Sequence, residues 1–279
     1  IKMEEHKELP KSGEHHSSKS ITVIATKDCQ LACKYCYLVG KNSKERMTWE
    51  VAKAAIDYIL DHEEDMKEES VIWDFIGGEP FLEIDLIDKI CDYLKIEMYR
   101  RNHHWFNSYR FSFSTNGINY GTDKLQRFNE KNREHLSIGI TIDGTKRKHD
   151  LNRIWKTAEM EKGIVPKPEE EKGSYDDVVK NIPLWLKQFP GAGTKVTISS
   201  ADIPYIKESV LHLYSLGIHE VNINCVFEDV WKEGDDKRFE EQLTELADAI
   251  IAGGDCPDFA CSVCSGQRGP PLDGDHEEL

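Results

Sequence analysis

The sequence predicts an α/β fold built on parallel strands that are joined by right-handed crossover helices. Six apolar, β-branched runs recur along the 279 residues, and each is followed by a segment with helical periodicity. Polar or glycine-rich sequences follow five consecutive runs, which is where α/β proteins place their functional sites. Periodicity alone leaves open whether the sheet closes towards a barrel or stays open as a doubly wound sheet.

The predicted strands cover residues 21–26, 71–77, 109–116, 136–143, 195–200 and 220–228. The first helix begins after Thr48, a residue type that caps helix N-termini well, and a later helix opens at Ser174 with a capping-box pattern. Another helix is expected to end at Gly217, and the last to run from about 236 to 251. The polar stretch 144–173 interrupts this order and is expected to be a partly mobile loop over the site entrance.

Composition limits the possible partners. The chain carries 36 Lys and Arg against 51 Asp and Glu, a net charge of −15, whereas binding to nucleic acid needs clustered cations. No apolar run approaches the ~20 residues that cross a bilayer, so no membrane partner is expected. Eight cysteines without a secretory signal indicate a reduced, cytoplasmic setting, in which thiols bind metals or pack.

Three of the cysteines, Cys29, Cys33 and Cys36, lie in one loop after the first strand. A [4Fe–4S] cluster takes four ligands, so three thiolates leave one iron open to chelate a cosubstrate. Zinc is the competing interpretation, because structural zinc takes four Cys or His ligands. The fourth would then come from elsewhere, such as Cys225 or a histidine. The spacing favours iron–sulfur.

The spacing Cys-x3-Cys-x-aromatic-Cys, with Tyr35 as the aromatic residue, resembles the signature of the radical S-adenosylmethionine (SAM) superfamily. The resemblance implies a partial (β/α)6 TIM-like barrel and a cluster whose open iron is chelated by SAM. It also implies reductive cleavage of SAM to methionine and a 5′-deoxyadenosyl radical, which abstracts hydrogen from a substrate. An electron donor such as flavodoxin or ferredoxin would supply the electron.

Two runs at the ends of the second and third strands resemble SAM-binding segments of this superfamily. Gly77-Gly78-Glu79-Pro80 resembles the element that holds the methionyl amine. Its glycines allow close approach of a ligand, and its carbonyls and the Glu79 carboxylate are acceptors suited to an ammonium group. A tight turn is the alternative. Ser114-Thr115-Asn116 offers hydroxyls and an amide, and is similar to the segment that contacts the ribose.

The fourth strand end and the sequence after it complete the resemblance. Thr141 and Asp143 fall in a motif usually written Ser-x-Asp-Gly, and Thr141 keeps the hydroxyl of the serine. Arg153 ends an HD-x-x-R pattern, and in relatives with this pattern the arginine pairs with the SAM carboxylate. A surface arginine is the alternative. His103 and His104 have no partners at ligand spacing and are expected at the surface.

A cysteine-rich tail follows Gly254. Cys256, Cys261 and Cys264 resemble the start of a SPASM or twitch domain, which binds auxiliary iron–sulfur clusters in radical SAM peptide maturases. Three units are therefore expected: a polar segment 1–19, a radical SAM partial barrel 20–253, and a truncated or divergent SPASM-like tail 254–279.

Weaker sequence similarity over residues 173–182 and 221–228 extends the resemblance to peptide maturases of the SPASM or twitch branch. These include thioether-forming enzymes that act on CXXX-repeat precursors. It implies hydrogen abstraction from a ribosomal peptide (a RiPP) and formation of a thioether crosslink. Two alternatives stay open. One is a sulfatase-maturating enzyme that forms formylglycine, and the other is a zinc-binding interaction protein. The sequence identifies no general base.

Overall fold

The computed structural model of the chain describes residues 17–38, 43–228 and 230–252, together with the backbone of 260–261. Its strands form two parallel sheets. The strands of the first sheet are, in spatial order, β1 (Ser18–Ile24), β2 (Ser70–Ile76), β3 (Tyr109–Thr115) and β4 (Leu136–Ile140). Those of the second are β5 (Thr194–Ile198), β6 (Glu220–Cys225) and β7 (Ala260–Cys261). The predicted α/β class with parallel strands is confirmed.

Helices lie between successive strands, as predicted. They are α1 (Trp49–Asp61), α2 (Ile84–Arg100), α3 (Asp123–Asn132), α4 (Lys146–Asn152), α5 (Ala158–Glu161), α6 (Tyr175–Val179), α7 (Ile182–Gln188), α8 (Ile206–Ser215) and α9 (Asp235–Ala252). Thr48 caps α1 by accepting a hydrogen bond from the Val51 N–H at 3.3 Å. Gly217, with φ +86°, follows the end of α8, as expected for a residue that terminates a helix. None of the described helices is long and apolar enough to cross a membrane.

The two sheets meet where β4 is followed by β5. The Thr194 hydroxyl donates to the Ile140 carbonyl at 2.7 Å and accepts from the Ile142 N–H at 3.0 Å. One hydroxyl therefore connects the end of the first sheet to the start of the second. Residues at or after the carboxyl ends of strands in both sheets, such as Asn116 and Cys225, line one cavity.

The faces of the first sheet differ in burial. On one face, Phe75 stacks on Phe113 with ring centroids 4.8 Å apart, and both rings are buried. Burying a phenylalanine side chain contributes roughly 1.5–3 kcal/mol relative to leaving it exposed, so this face supplies the core. On the other face, alternate residues such as Asp74 and Ser112 stay partly accessible. This second face forms the wall of a cavity.

The stretch 144–173, expected as a partly mobile loop, departs from that prediction. It contains α4, whose residues Lys148 and His149 are buried, and it is tied to its surroundings by two bridges, Leu31–Trp155 and Ile154–Gly173. Hydrophobic periodicity missed this helix because its buried face is made of polar and charged side chains. They are held by buried partners rather than by apolar packing.

The capping box expected at Ser174 is also absent. The Ser174 hydroxyl donates to the Arg153 carbonyl at 2.7 Å and lies 3.0 Å from His149 Nε2, so it does not cap α6. The helix predicted to continue from this point is divided into α6 and α7. Ser174 instead belongs to the hydrogen-bond network that includes Arg153 and His149.

Candidate active site

A cavity of about 840 Å³ opens at the carboxyl ends of the strands. Most predicted site residues line it: Cys29, Cys33, Tyr35, Cys36, Gly77, Gly78, Ser114, Thr115, Asn116, Thr141 and Arg153. Glu79, Pro80 and Asp143 do not line it and are buried behind its wall. The far wall comes from the second sheet and includes Lys195, Thr197 and Cys225.

The cysteine loop is fixed by main-chain hydrogen bonds to the segment after α4. The Ala32 N–H donates to the Ile154 carbonyl at 2.8 Å, and the Lys34 N–H donates to the Asn152 carbonyl at 3.0 Å. The Lys156 ammonium contacts Asp28 at 2.6 Å, beside the first cysteine. These contacts explain why a polar segment far along the chain is ordered here.

The spread of the three cysteines bears on which metal they could bind. Among the described residues, the group of three His, Cys, Asp or Glu ligand atoms lying within 4.8 Å of one another is Glu63, His103 and His104. The cysteine triad does not meet this spacing. With Zn–S bonds of about 2.3 Å, sulfur ligands of one zinc ion lie within roughly 4.6 Å of one another. In this arrangement the three sulfurs do not converge on one zinc ion, and they are compatible with a cluster that bonds each sulfur to a different iron.

Burial, reinforced by Glu79 and Cys33, raises the pKa of the Cys29 thiol to about 12. A bare thiol at this position keeps its proton at neutral pH. Ligation then requires the metal to displace that proton, as metal binding by thiols generally does. Among the charged groups around Cys29, the Glu79 carboxylate raises the thiol pKa most, so it disfavours a free thiolate. Stabilisation of the Cys29 thiolate therefore depends on a bound metal.

Arg153 is 7% exposed, which contradicts the alternative of a surface arginine. Its Nη1 donates to the Tyr35 hydroxyl at 3.0 Å, and Tyr35 in turn donates to the Asp143 carboxylate. Burial holds the pKa of Tyr35 well above its usual range, so the phenol keeps its proton. The buried Arg153 Nε has no hydrogen-bond partner among the described residues. The planar Arg153 guanidinium therefore has an unused N–H donor, and Arg153 lines the cavity, where this donor is suited to binding an anion.

Lys148 is a site residue that the sequence interpretation missed. Its side chain is 2% exposed, and its Nζ donates to the Thr197 carbonyl and lies 3.6 Å from Asp143 and 3.8 Å from Asp202. Burial would raise the pKa of Asp143, but Lys148 and Arg153 offset this and hold it below the usual range. No sequence signal separates Lys148 from the neighbouring exposed cations of the same basic run.

The Glu79 carboxylate does not have the orientation expected of an ammonium acceptor. It is fully buried and accepts from the Phe81 N–H at 3.1 Å, the Thr115 hydroxyl at 2.7 Å and the Asn116 N–H at 2.8 Å. A contact between Glu79 and the SAM amine stays a prediction. Glu79 joins the turn after β2 to the turn after β3.

The two glycines before Glu79 allow close approach to the cysteine loop. A Cβ on Gly77 would lie 2.4 Å from the Thr26 carbonyl oxygen, and one on Gly78 would lie 2.0 Å from the Asp28 carbonyl oxygen. The Gly78 N–H donates to Thr26 O at 2.9 Å, which holds the two segments together. Close approach was expected towards a ligand. The structure shows it towards the backbone that carries the ligand-binding cysteines.

The expectation of surface histidines is wrong for His103, which is 2% exposed. The Trp105 N–H donates to His103 Nδ1 at 3.2 Å, so the neutral ring carries its proton on Nε2 and cannot ligate there. The His103 and His104 rings also stack, with centroids 4.7 Å apart and planes 18° apart. A metal lies near the plane of each imidazole that binds it, so this group does not form a metal site.

Comparison with known proteins identifies the architecture. The family model described as the radical SAM superfamily matches residues 23–199, more than half of the chain. The chain belongs to the radical SAM superfamily. Members of this superfamily use a [4Fe–4S] cluster and SAM. The orphaned Arg153 Nε and the three spread cysteines fit these groups.

Two curated relatives of this radical SAM protein are informative. An uncharacterized protein of Methanocaldococcus jannaschii is 28% identical over 209 residues, which is 75% of this chain and 63% of the relative. A cysteine-type anaerobic sulfatase-maturating enzyme of Clostridium novyi is 27% identical over 172 residues, 60% of this chain and 40% of the relative. The chain thus spans less than two thirds of the length of either.

Solved structures share the radical SAM fold. AnSMEcpe with bound AdoMet and the Kp18Cys peptide matches with a TM-score of 0.66 at 18% identity, covering 88% of this chain and 64% of that one. Streptococcus suis SuiB bound to its precursor peptide SuiA matches with a TM-score of 0.54 at 16% identity, covering 87% and 48%. At these identities the comparison shows that the radical SAM chain described here has the same fold as AnSMEcpe and SuiB.

Acid sensitivity is expected from His149, behind the Arg153 network of this radical SAM site. Burial and the nearby Arg153 charge lower its pKa from 6.5 to about 3. The unfolded chain therefore binds more protons between these values, and the free energy of unfolding falls as pH drops through this window, by up to about 1.4 kcal/mol per unit. Chemical denaturation at pH 7.5 and pH 5.0 measures this loss.

The matched variants are His149→Gln and His219→Gln, the second at an exposed position. Relative to the His219→Gln protein, the His149→Gln protein is expected to lose about 2 kcal/mol less between the two pH values, with all samples in the same cluster state. An equal acid loss in both variants would show that His149 is not the group responsible.

Proposed function

We propose that this chain is a radical SAM peptide maturase that forms a thioether crosslink in a ribosomal peptide. The observation that carries the proposal is one cavity in which the cysteine triad lies beside the buried Arg153 and which extends along the second sheet. When bound, the cluster and SAM supply a one-electron cleavage that generates the hydrogen-abstracting radical. The residues of this chain position those groups and the substrate.

The proposed binding roles follow from the contacts. Cys29, Cys33 and Cys36 would hold the cluster, and Arg153 would pair with the SAM carboxylate. Tyr35 and Asp143 would fix the orientation of the guanidinium, since Tyr35 accepts from Arg153 and donates to Asp143.

The remaining predicted contacts have supporting roles in this proposal. The carbonyls of the Gly77-Gly78 turn would accept from the SAM amine, and the hydroxyls of Ser114 and Thr141, both lining the cavity, would face the nucleoside. Glu79 and Thr115 would hold this wall in place through their mutual hydrogen bond of 2.7 Å.

A peptide substrate is supported by the relatives rather than by this chain alone. AnSMEcpe and SuiB are structural neighbours whose structures contain bound peptides. In the protein described here, the cavity reaches past the cysteines to Lys195, Thr197 and Asn224, polar groups suited to peptide amides.

The auxiliary cluster at Cys256, Cys261 and Cys264 stays a prediction. Cys256 and Cys264 lie outside the described residues, and for Cys261 only the backbone is described, in β7. Three further expectations stay predictions. They are the unit boundaries after residues 19 and 253, a flavodoxin or ferredoxin as electron donor, and the cytoplasmic setting.

A sulfatase-maturating activity is the second candidate. It is favoured by the Clostridium novyi relative and by the better structural agreement with anSMEcpe than with SuiB. Because both candidates begin with the same SAM cleavage, only the product separates them. A substrate peptide that loses two hydrogens and keeps its sulfur indicates the crosslink, whereas loss of sulfur from cysteine indicates formylglycine.

The first test is anaerobic reconstitution with iron and sulfide, followed by dithionite and SAM. We expect a brown protein absorbing near 400 nm and formation of 5′-deoxyadenosine, measured by mass spectrometry. A protein fully loaded with [4Fe–4S] that forms no 5′-deoxyadenosine would overturn the proposal. Colourless protein with stoichiometric zinc would support the zinc-binding alternative instead. Cys-containing peptides encoded beside this gene then serve as substrates for the product analysis.

A further inference from the structure

The Asn116 side chain uses its polar atoms within the protein, although the motif predicted a ribose contact. Its Nδ2 lies 3.0 Å from Gln30 Oε1 and 3.7 Å from Cys29 Sγ. Its Oδ1 accepts from the Ile118 N–H at 2.9 Å. An asparagine amide has two N–H donors and one acceptor oxygen, so each of these groups has a partner. Asn116 therefore faces a cysteine of the triad.

The orientation of this amide is determined by its surroundings. Because the Ile118 N–H can only donate, the atom facing it must be the Asn116 oxygen, and the nitrogen must face Cys29. The Asn116 main-chain N–H donates to Glu79 at 2.8 Å, and the residue is only 5% exposed. Gly117, with φ +78°, turns the chain directly after it. The amide is thus fixed from behind and points at the sulfur.

We propose that Asn116 is a positioning residue for the cluster, and that its N–H donates to the Cys29 sulfur and raises the reduction potential of the cluster. Reduction adds negative charge that is shared with the ligand sulfurs, and an N–H dipole aimed at a sulfur stabilises the reduced state more than the oxidised one. The Leu31 N–H, 3.3 Å from the same sulfur, acts in the same sense. This inference rests on the proposed function, because it requires the triad to hold a [4Fe–4S] cluster.

The test compares reduction potentials of reconstituted proteins by EPR-monitored titration. Asn116→Asp replaces the donor with an acceptor of the same shape, and Asn116→Ala removes the donor without adding charge. At a fixed potential near the wild-type midpoint, we expect the ratio of reduced to oxidised cluster to fall about tenfold in Asn116→Asp, equivalent to about 60 mV for one electron. In Asn116→Ala we expect a fall of about threefold.

Two controls separate the donor effect from charge and from loop structure. Asn119→Asp makes the same chemical change three residues away, and Gln30→Ala removes the other partner of the Asn116 amide while leaving the contact to sulfur. Both are expected to change the ratio by less than twofold. The inference is overturned if loaded Asn116→Ala keeps the wild-type potential, or if Gln30→Ala lowers it equally. Failure of the proposed function would appear separately, as wild-type protein without the cluster signal or without 5′-deoxyadenosine.

Discussion

Replacing Cys33 by alanine is expected to abolish 5′-deoxyadenosine formation and to reduce iron loading severely. Cys33 is 9% exposed and lines the cavity, where its sulfur is close enough to the Arg153 guanidinium to help raise the pKa of that group. With two thiolates the loop cannot complete the three-cysteine set that leaves a single iron open. Iron and sulfide analysis, the absorbance near 400 nm and mass spectrometry of the nucleoside measure the loss.

Two other cysteines supply the controls for this variant. Cys91 is fully buried in α2, away from the cavity, so Cys91→Ala is expected to cost about 1 kcal/mol of stability and to leave iron loading unchanged. Cys225 lines the cavity, so Cys225→Ala tests the zinc alternative directly. Metal loss in Cys225→Ala as complete as in Cys33→Ala would identify a fourth protein ligand and contradict the open iron on which SAM binding depends.

The strands and the positions of the motifs could be predicted because they depend on apolar periodicity. A buried parallel strand such as β2 alternates large apolar residues, including Trp73 and Phe75, with residues of the accessible face. The turn that follows it must then lie at the carboxyl edge of the sheet. That reasoning predicts that the cysteines, the Gly77-Gly78 turn and Thr141 lie at the same edge of the sheet, and in the structure all of them line one cavity.

The polar core around α4 could not be predicted in the same way. Lys148 and His149 are buried because Asp143, Asp202 and Ser174 supply partners, and those partners lie on other elements. Sequence periodicity carries no information about such pairing across the fold. Lys148 is buried although the preceding residues Lys146 and Arg147 are exposed, and nothing in this basic run distinguishes the three residues.

The directions in which the motif side chains point could not be predicted from the sequence either. Motif resemblance predicts ligand contacts for both Glu79 and Asn116. In the structure Glu79 accepts from the Asn116 main chain, and Asn116 faces Cys29. A short polar motif specifies which groups are available at a strand end. Which of them face the ligand depends on the hydrogen bonds that the neighbouring turns require.

Replacing Gly78 by alanine is expected to separate the turn after β2 from the cysteine loop. The added Cβ would lie 2.0 Å from the Asp28 carbonyl oxygen and 2.7 Å from that of Lys27, and both are main-chain atoms that no rotamer change can move. Relieving the overlap must also break the hydrogen bond of 2.8 Å from the Glu79 N–H to Asp28 O. We expect a loss of at least about 3 kcal/mol in the free energy of unfolding.

Gly139→Ala is the matched control, because a Cβ at that β4 position has its nearest neighbours at 3.7 and 3.8 Å, an ordinary contact distance. Its free energy of unfolding is expected to stay within about 1 kcal/mol of the wild type. Denaturant unfolding and iron content are measured on both variants. Because Asp28 directly precedes Cys29, displacement of its carbonyl must also displace the first ligand, so iron loading in Gly78→Ala should fall more than tenfold even in the fraction that stays folded. If Gly78→Ala loads iron as well as Gly139→Ala, the close approach of the two turns does not position the triad.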